Sequence, residues 1–296
     1  MEMIVGIIGT GNMGSSLAEC LSRRNVDIAL YNRTRSRAEE LGRRLGARVY
    51  DSPSELVENV EAAIAFVRDD HALRTVLFDI ASRSGKNSQV VFINASTVTP
   101  STSLEAMEIL ESRGIGYVEA PVFGSTSEAQ ECRLISMVST KEYLLEKAMN
   151  ILKLYSSQIH YLGQPPKAMV VKLALNNIAL AVPAVLAESF MLLSSWGVEL
   201  DVLRSVSQNT WIEPVLNRYW DRALGDSKPR FTVDNAGKDY SYIANALKHK
   251  GLPSFLSETI SSLYLLAGRN GLGGKDYTQI VKYYLEIARR NQSFKG

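Results

Sequence analysis

Ile4-Val5-Gly6-Ile7-Ile8-Gly9-Thr10-Gly11-Asn12-Met13-Gly14 is the stretch from which the rest of the chain can be read. A short apolar run leads into glycines spaced G-x-G-x-x-G. The run suits a buried strand, and helical periodicity follows from Ser15 to Arg24. Glycines placed between a strand and a helix cradle a dinucleotide pyrophosphate. Gly9 permits the tight turn, Gly11 admits phosphate close to the backbone, and Gly14 lets helix and sheet pack. The helix start supplies N–H donors and positive potential. Thr10, Asn12 and Met13 fall inside the same predicted cofactor loop.

The end of the second predicted strand discriminates between nucleotides. A carboxylate there holds the ribose 2′-hydroxyl of NAD. This chain instead has Tyr31-Asn32-Arg33-Thr34, with Arg35 and Arg37 close by. A guanidinium forks onto a 2′-phosphate, which a carboxylate would repel. The expected cofactor is therefore NADP(H), contacted by Asn32, Arg33 and Thr34.

Outward from this motif, short β-branched runs alternate with helical segments up to about Gly163. Ile4 to Ile8, Asp27 to Tyr31, Ala62 to Val67 and Val90 to Ile93 read as buried parallel strands. Further strands are expected at Gly116 to Val118, Leu134 to Val138 and Ile159 to Tyr161. Helices are expected at Ser36 to Leu45 and Thr102 to Arg113. The alternation predicts an α/β Rossmann domain, a doubly wound parallel sheet, over residues 1–163. After Pro165-Pro166 the pattern is helical only. Helices are expected at Ala168 to Trp196, Leu200 to Thr210, Val215 to Leu224, Ala236 to Lys248, Ser254 to Asn270 and Tyr277 to Asn291. Residues 164–296 thus read as an all-α domain for substrate and dimerisation, opened by a long interdomain helix expected to be mostly buried.

A chain of 296 residues with 46% hydrophobic and 22% charged residues reads as soluble and globular. A net charge of +2 argues against nucleic acid as a partner. Cys20 and Cys132 are the only cysteines, so neither a disulfide framework nor a cysteine-rich metal site is expected, and Cys132 reads as a small packed residue. His71, His160 and His249 show no metal-ligand spacing, so no metal is expected. The N-terminal run fits a strand better than an export signal. Ile178 to Leu193, interrupted by Pro183 and Glu188, reads as too short and too polar for a membrane span. A cytoplasmic location is the expectation.

Lys172 and Asn176 lie four apart in the first predicted helix of the second half, so both project from one face. A lysine can protonate a carbonyl oxygen as hydride reaches carbon, and in reverse take the proton of a hydroxyl. An asparagine nearby can hold the same oxygen or fix the lysine.

These residues carry a resemblance that spans nearly the whole chain. Gly9 to Gly14 followed by Tyr31-Asn32-Arg33-Thr34 resembles the β-hydroxyacid dehydrogenases. Asn94-Ala95-Ser96-Thr97-Val98-Thr99-Pro100 resembles their D-x-S-T-x-x-P loop, and Glu119-Ala120-Pro121-Val122-Phe123-Gly124-Ser125 their D-A-P-V-S-G-G substrate segment. Lys172 to Asn176 resembles their K-x-x-x-N, and Lys238-Asp239-Tyr240 their late K-D-L. The resemblance implies an NADP(H)-dependent oxidoreductase of small aldehydes, keto acids or the matching hydroxy acids, with Lys172 as general acid–base. It implies that Val67, Arg68 and Thr97 flank the cofactor, that Lys238 lies near its nicotinamide end, and that Asp239 lies near the active site. Phe231 matches an aromatic substrate-side position. The helical domains would pair into homodimers or homotetramers.

Two positions depart from the pattern. Phe123 stands where the family has serine, and Ser125 where it has glycine. The serine hydroxyl and neighbouring backbone grip the substrate carboxylate in the family; Phe123 can neither accept nor donate, while Ser125, Thr126 or Ser127 could compensate. Two other readings stay open: an imine reductase acting on C=N, against which Lys172 argues, and a non-catalytic NADPH-binding protein, against which Lys172 argues too.

Overall fold

A computed structural model describes residues 3–83, 90–226 and 228–293. Met1 and Glu2 lie outside the described residues. By its internal contacts the chain divides into Met1–Leu173 and Ala174–Gly296.

The first unit is built on a sheet whose strands alternate with helices. In chain order it runs β1 (Ile4–Ile8), α1 (Asn12–Arg23), β2 (Asp27–Tyr31), α2 (Arg35–Leu45), β3 (Arg48–Val49), α3 (Pro53–Glu58), β4 (Ala62–Ala65), α4 (Asp70–Arg83), β5 (Val91–Asn94), α5 (Pro100–Ser112) and β6 (Gly116–Glu119). There follow β7 (Val122–Phe123), α6 (Thr126–Gln130), β8 (Leu134–Thr140), α7 (Glu142–Leu152) and β9 (Ser156–Tyr161). The sheet order is β3-β2-β1-β4-β5-β6-β8-β7, with β9 paired to β8.

Strand alternation explains why helices cover both faces. Val5, Ile7, Ile64 and Ile93 point into one core with Leu17, Leu21 and Leu152. Ile8, Ala63, Ala65 and Phe92 point into the other with Leu56, Leu73, Leu77 and Leu110. The expected doubly wound parallel sheet is present from β3 to β6. Its far edge differs from the expectation: β8 runs antiparallel to β6, and β7 antiparallel to β8. The chain reverses there through the two-residue β7 and the short α6, so no long crossover is needed to return it.

A second difference concerns the cysteines. Cys20 on α1 and Cys132 just after α6 form a disulfide, with Cα atoms 5.5 Å apart at a sequence separation of 112. Packing of α6 against α1 brings them together, which their distance along the chain conceals.

α8 (Lys167–Ser195) runs 29 residues. By length and composition it could cross a bilayer, unlike the shorter stretch read from sequence. It is also less buried than expected, with Ile178, Val185 and Leu192 at 71%, 60% and 59% exposure. These three are spaced by seven residues, so they line one stripe.

The second unit continues with α9 (Leu200–Val206), α10 (Glu213–Leu224), α11 (Val233–His249), α12 (Phe255–Ala267) and α13 (Ile280–Ser293). α11 and α12 pack through stacked Tyr240 and Tyr264 rings, 6.1 Å apart. Tyr240 and Tyr264 also donate to the carbonyls of Asn177 and Leu180 on α8. Buried Asp276 ties the loop before α13 to α10 by accepting both Arg222 contacts at 3.0 Å. Among the described residues here, β-type pairing is confined to an isolated bridge between Thr232 and Asp276.

Candidate active site

The turn after β1 has the form the glycine spacing predicts. Gly9 adopts φ +97°, and a Cβ there would meet the Phe66 carbonyl at 2.3 Å. A Cβ on Gly14 would meet the Gly9 carbonyl at 1.9 Å, so helix and turn touch at this point. Gly11 is different: a Cβ there would meet nothing within 4 Å. Its glycine thus answers no need of the protein's own packing, as expected where a ligand must come close. Gly11 caps α1 without a side-chain hydrogen bond, leaving the first helical N–H groups available. Asn12 and Met13 begin that helix.

The second strand delivers its discriminating residues to the same turn. The Thr10 N–H donates to Asn32 Oδ1 at 3.1 Å, and Asn32 Nδ2 donates to the Thr34 carbonyl at 2.9 Å. Asn32 therefore braces the glycine turn against the start of α2. Arg33 is exposed and makes no ion pair among the described residues, whereas Arg35 is bound to Glu39 and Asp51. After β4, the Val67 N–H donates to Ser96 Oγ at 2.8 Å, and that hydroxyl donates to the Ala65 carbonyl. Arg68 is exposed beside Asp69, and Thr97 is half-buried. The structure thus holds the 65–68 and 94–97 loops side by side. These groups suit a dinucleotide: free helix-start N–H groups, an open Gly11 and an uncommitted guanidinium.

Lys172 is 9% exposed, and its Nζ lies 5.2 Å from the centre of the Phe123 ring. A cation over an aromatic face is attracted to it, more strongly when water is excluded. Gly124 follows at φ +138°, turning the chain toward α6. The Ser125 N–H and hydroxyl both donate to Glu128, at 2.7 and 2.5 Å.

In the second unit, Asn176 Nδ2 donates to Asp239 Oδ2 at 2.6 Å. Lys238 Nζ lies 3.0 Å from the other oxygen of the same carboxylate and 4.8 Å from the Tyr242 ring centre. Asp239 is fully buried on α11, so its charge is compensated within that cluster. Phe231 lies just before α11 and packs edge-on to Tyr277 at 6.0 Å.

One buried carboxylate has a place in the structure that its motif does not announce. Glu119, at the end of β6, is fully buried, and its Oε1 accepts the Met169 N–H at 2.8 Å at the start of α8. Ser103 donates to its other oxygen, and Ser103 and Tyr117 hydroxyls lie 2.7 Å apart. Burial pushes the Glu119 carboxyl up to about 7, against the opposing pull of its bonds from Ser103, Met169 and Ala168. A lone carboxylate closing an apolar strand was the signal available for it.

Residues 4–163 match the NAD binding domain of 6-phosphogluconate dehydrogenase. Residues 167–284 match the NAD-binding family of NADP-dependent 3-hydroxyisobutyrate dehydrogenase. Glyoxylate/succinic semialdehyde reductase 1 of Arabidopsis thaliana is 26% identical over 287 residues, covering 95% of this chain and 98% of that protein. The structure of a 3-hydroxyisobutyrate dehydrogenase from Salmonella typhimurium is similar at TM-score 0.79 and 25% identity, covering 95% of this chain and 99% of that one. An imine reductase from a Pseudomonas species shares the fold at TM-score 0.62 and 21% identity, covering 95% and 99%. Fold and matches together define an NAD(P)-dependent oxidoreductase acting on hydroxyl or carbonyl groups. The chain belongs to the β-hydroxyacid dehydrogenase family, as its motifs suggest.

Proposed function

We propose that this chain uses NADPH to reduce a small carbonyl compound, or NADP+ to oxidise the matching alcohol, with Lys172 as the acid–base residue. The observation that carries this is the placement of Lys172: nearly buried, over the Phe123 ring, three residues after the Glu119-bound Met169. The nicotinamide supplies or accepts hydride when bound. Lys172 donates the proton that a reduced carbonyl oxygen needs, and withdraws it in the reverse direction. Asn176 acts one helical turn on, its amide fixed by Asp239, so Asp239 serves as a positioning residue. Val67, Arg68 and Thr97 belong to the cofactor side of this proposal.

NADP(H) over NAD(H) is supported by the exposed Arg33 and by the absence of a carboxylate from Tyr31-Asn32-Arg33-Thr34. A small-molecule substrate, with neither nucleic acid nor membrane as partner, is consistent with the net charge of +2 and with the burial of Lys172 and Asn176 on α8. A homodimer or homotetramer built through the helical domain is supported by the apolar stripe Ile178, Val185 and Leu192. Sedimentation of Ile178→Asp beside the wild type checks the last point.

The test of function is NADPH absorbance against a panel of aldehydes, keto acids and cyclic imines. Turnover of carbonyls supports the reading; turnover of imines alone would replace it with an imine reductase.

A further inference from the structure

The wall beside Lys172 is built from three consecutive features. The Phe123 ring takes the Lys172 ammonium on its face. Next, Gly124 lies so close to α6 that a Cβ there would sit 3.2 Å from Glu128 Cβ. Glu128 is therefore packed against the residue that follows the ring. Third, the donors of Ser125 are already spent: its N–H and hydroxyl both go to Glu128 Oε2, and the Ser127 hydroxyl reaches the same oxygen at 3.4 Å. The Ser125 hydroxyl bond holds the Glu128 carboxyl below the usual carboxylate range, so it is ionised at neutral pH.

Resting on the reading of Lys172 as the acid–base residue, we propose that Phe123 and Glu128 together select a carbonyl substrate whose group at this wall is uncharged and apolar. A substrate carboxylate here would face a ring without donors. To bind Ser125 it would have to displace an intramolecular carboxylate held by two hydrogen bonds. It would also bring like charge toward Glu128, and any part of it left unpaired and desolvated is penalised. An alkyl or aryl group meets none of these costs and gains contact with the ring.

The experiment compares kcat/KM with NADPH for butanal and succinic semialdehyde, equal in carbon number and differing in charge. Wild type, Phe123→Ser and Glu128→Gln are measured, each first shown to bind NADPH. Glutamine preserves an acceptor for the Ser125 N–H, so α6 keeps its cap. Wild type should favour butanal by about tenfold or more, and each variant should shift the ratio toward the carboxylate by about tenfold. A wild-type ratio at or below unity, or a ratio unmoved in both variants, overturns the inference while leaving the oxidoreductase reading intact. A wild type that binds NADPH yet turns over no carbonyl or alcohol of any charge removes the reading of Lys172 itself, and this inference with it.

Discussion

The Glu119 carboxylate accepts the Met169 N–H at 2.8 Å, three residues before Lys172 in the same helix. The strand that ends in Glu119 thereby fixes the start of α8, and with it the position of Lys172, the proposed acid–base residue. An acceptor at a helix start satisfies an orphan donor, and negative charge is favoured there. Glu119→Ala would remove that acceptor and leave the Ser103 hydroxyl without its carboxylate partner. The expected outcome is a loss of about 1–3 kcal/mol in stability and a fall in kcat larger than any change in NADPH affinity. Denaturant unfolding and cofactor titration check both. An unchanged kcat would show that Lys172 does not depend on this anchor.

Glu119 also predicts a pH dependence of stability. Its carboxyl is raised to about 7 from an ordinary 4.5, chiefly by burial. A raised pKa means that the folded chain favours the neutral form. The stability from this group is therefore fully present below pH 4.5 and lost as pH rises through about 7. The full effect is roughly 3 kcal/mol. Glu119→Gln cannot ionise, so the Tm difference between variant and wild type should grow in the variant's favour from pH 5 to pH 8. A difference that stays flat across this range would mean that Glu119 is ionised throughout.

The parts of the molecule that were legible in the sequence share one property: local periodicity carries them. β1, β2 and the glycine turn are written in adjacent residues, as are Lys172 and Asn176 at helical spacing. Helices α4 and α7, absent from the expected elements, carry the same periodicity through Leu73, Val76, Leu77 and Ile80 and through Leu144, Ala148, Ile151 and Leu152. What stayed hidden depends on pairing between distant segments. The reversal at β8, the Cys20–Cys132 disulfide and the Asn176–Asp239 bond each join residues far apart in sequence. Glu119 was visible as a letter in a motif, but only burial and the Met169 contact show what it does. Glu128 is similar: the S-x-x-E spacing announces a helix cap, not that the cap consumes the donors beside Phe123.

The glycine turn separates packing from binding. Gly14→Ala forces a Cβ to within 1.9 Å of the Gly9 carbonyl, a backbone atom that cannot rotate away. That variant should lose stability by several kcal/mol, on the scale of overpacking at a tight site, or fail to fold. Gly11→Ala meets no protein atom within 4 Å. It should fold with a Tm close to wild type and lose cofactor affinity, because the added methyl occupies the approach of the phosphates. Circular dichroism melts and NADPH fluorescence titration distinguish the two. If Gly11→Ala bound NADPH as well as wild type, the open space at Gly11 would not be the cofactor's.

Lys172 and Asp239 should differ in kind. Lys172→Ala should keep NADPH binding and lose about 10²–10⁴ in kcat, the range of general acid–base catalysis. Asp239→Asn keeps the shape but alters the acceptor that holds Asn176 Nδ2. It should cost less in kcat than Lys172→Ala and leave the pH profile of kcat in place, since the proton-transferring group remains. Near-wild-type turnover by Lys172→Ala would assign the proton to another residue.

The cofactor preference turns on Arg33. Asn32 is committed to the turn through Thr10 and Thr34, and Arg35 to Glu39 and Asp51. Arg33 stands between them, exposed and without an ion pair among the described residues. A guanidinium so placed can fork onto a 2′-phosphate without first breaking an internal contact, so little of the gain is lost to rearrangement. One charge-assisted contact contributes about 1.5–3 kcal/mol, roughly ten- to a hundredfold in affinity. Arg33→Asp exchanges that attraction for repulsion and offers the ribose hydroxyls an acceptor, so the preference should vanish or invert toward NADH. Because the phosphate contact is between charges near solvent, the wild-type preference should also shrink at high salt. Dissociation constants for NADPH and NADH, measured at two ionic strengths for wild type and Arg33→Asp, decide the matter. Equal wild-type affinities for the two cofactors at low salt would remove Arg33 from the site.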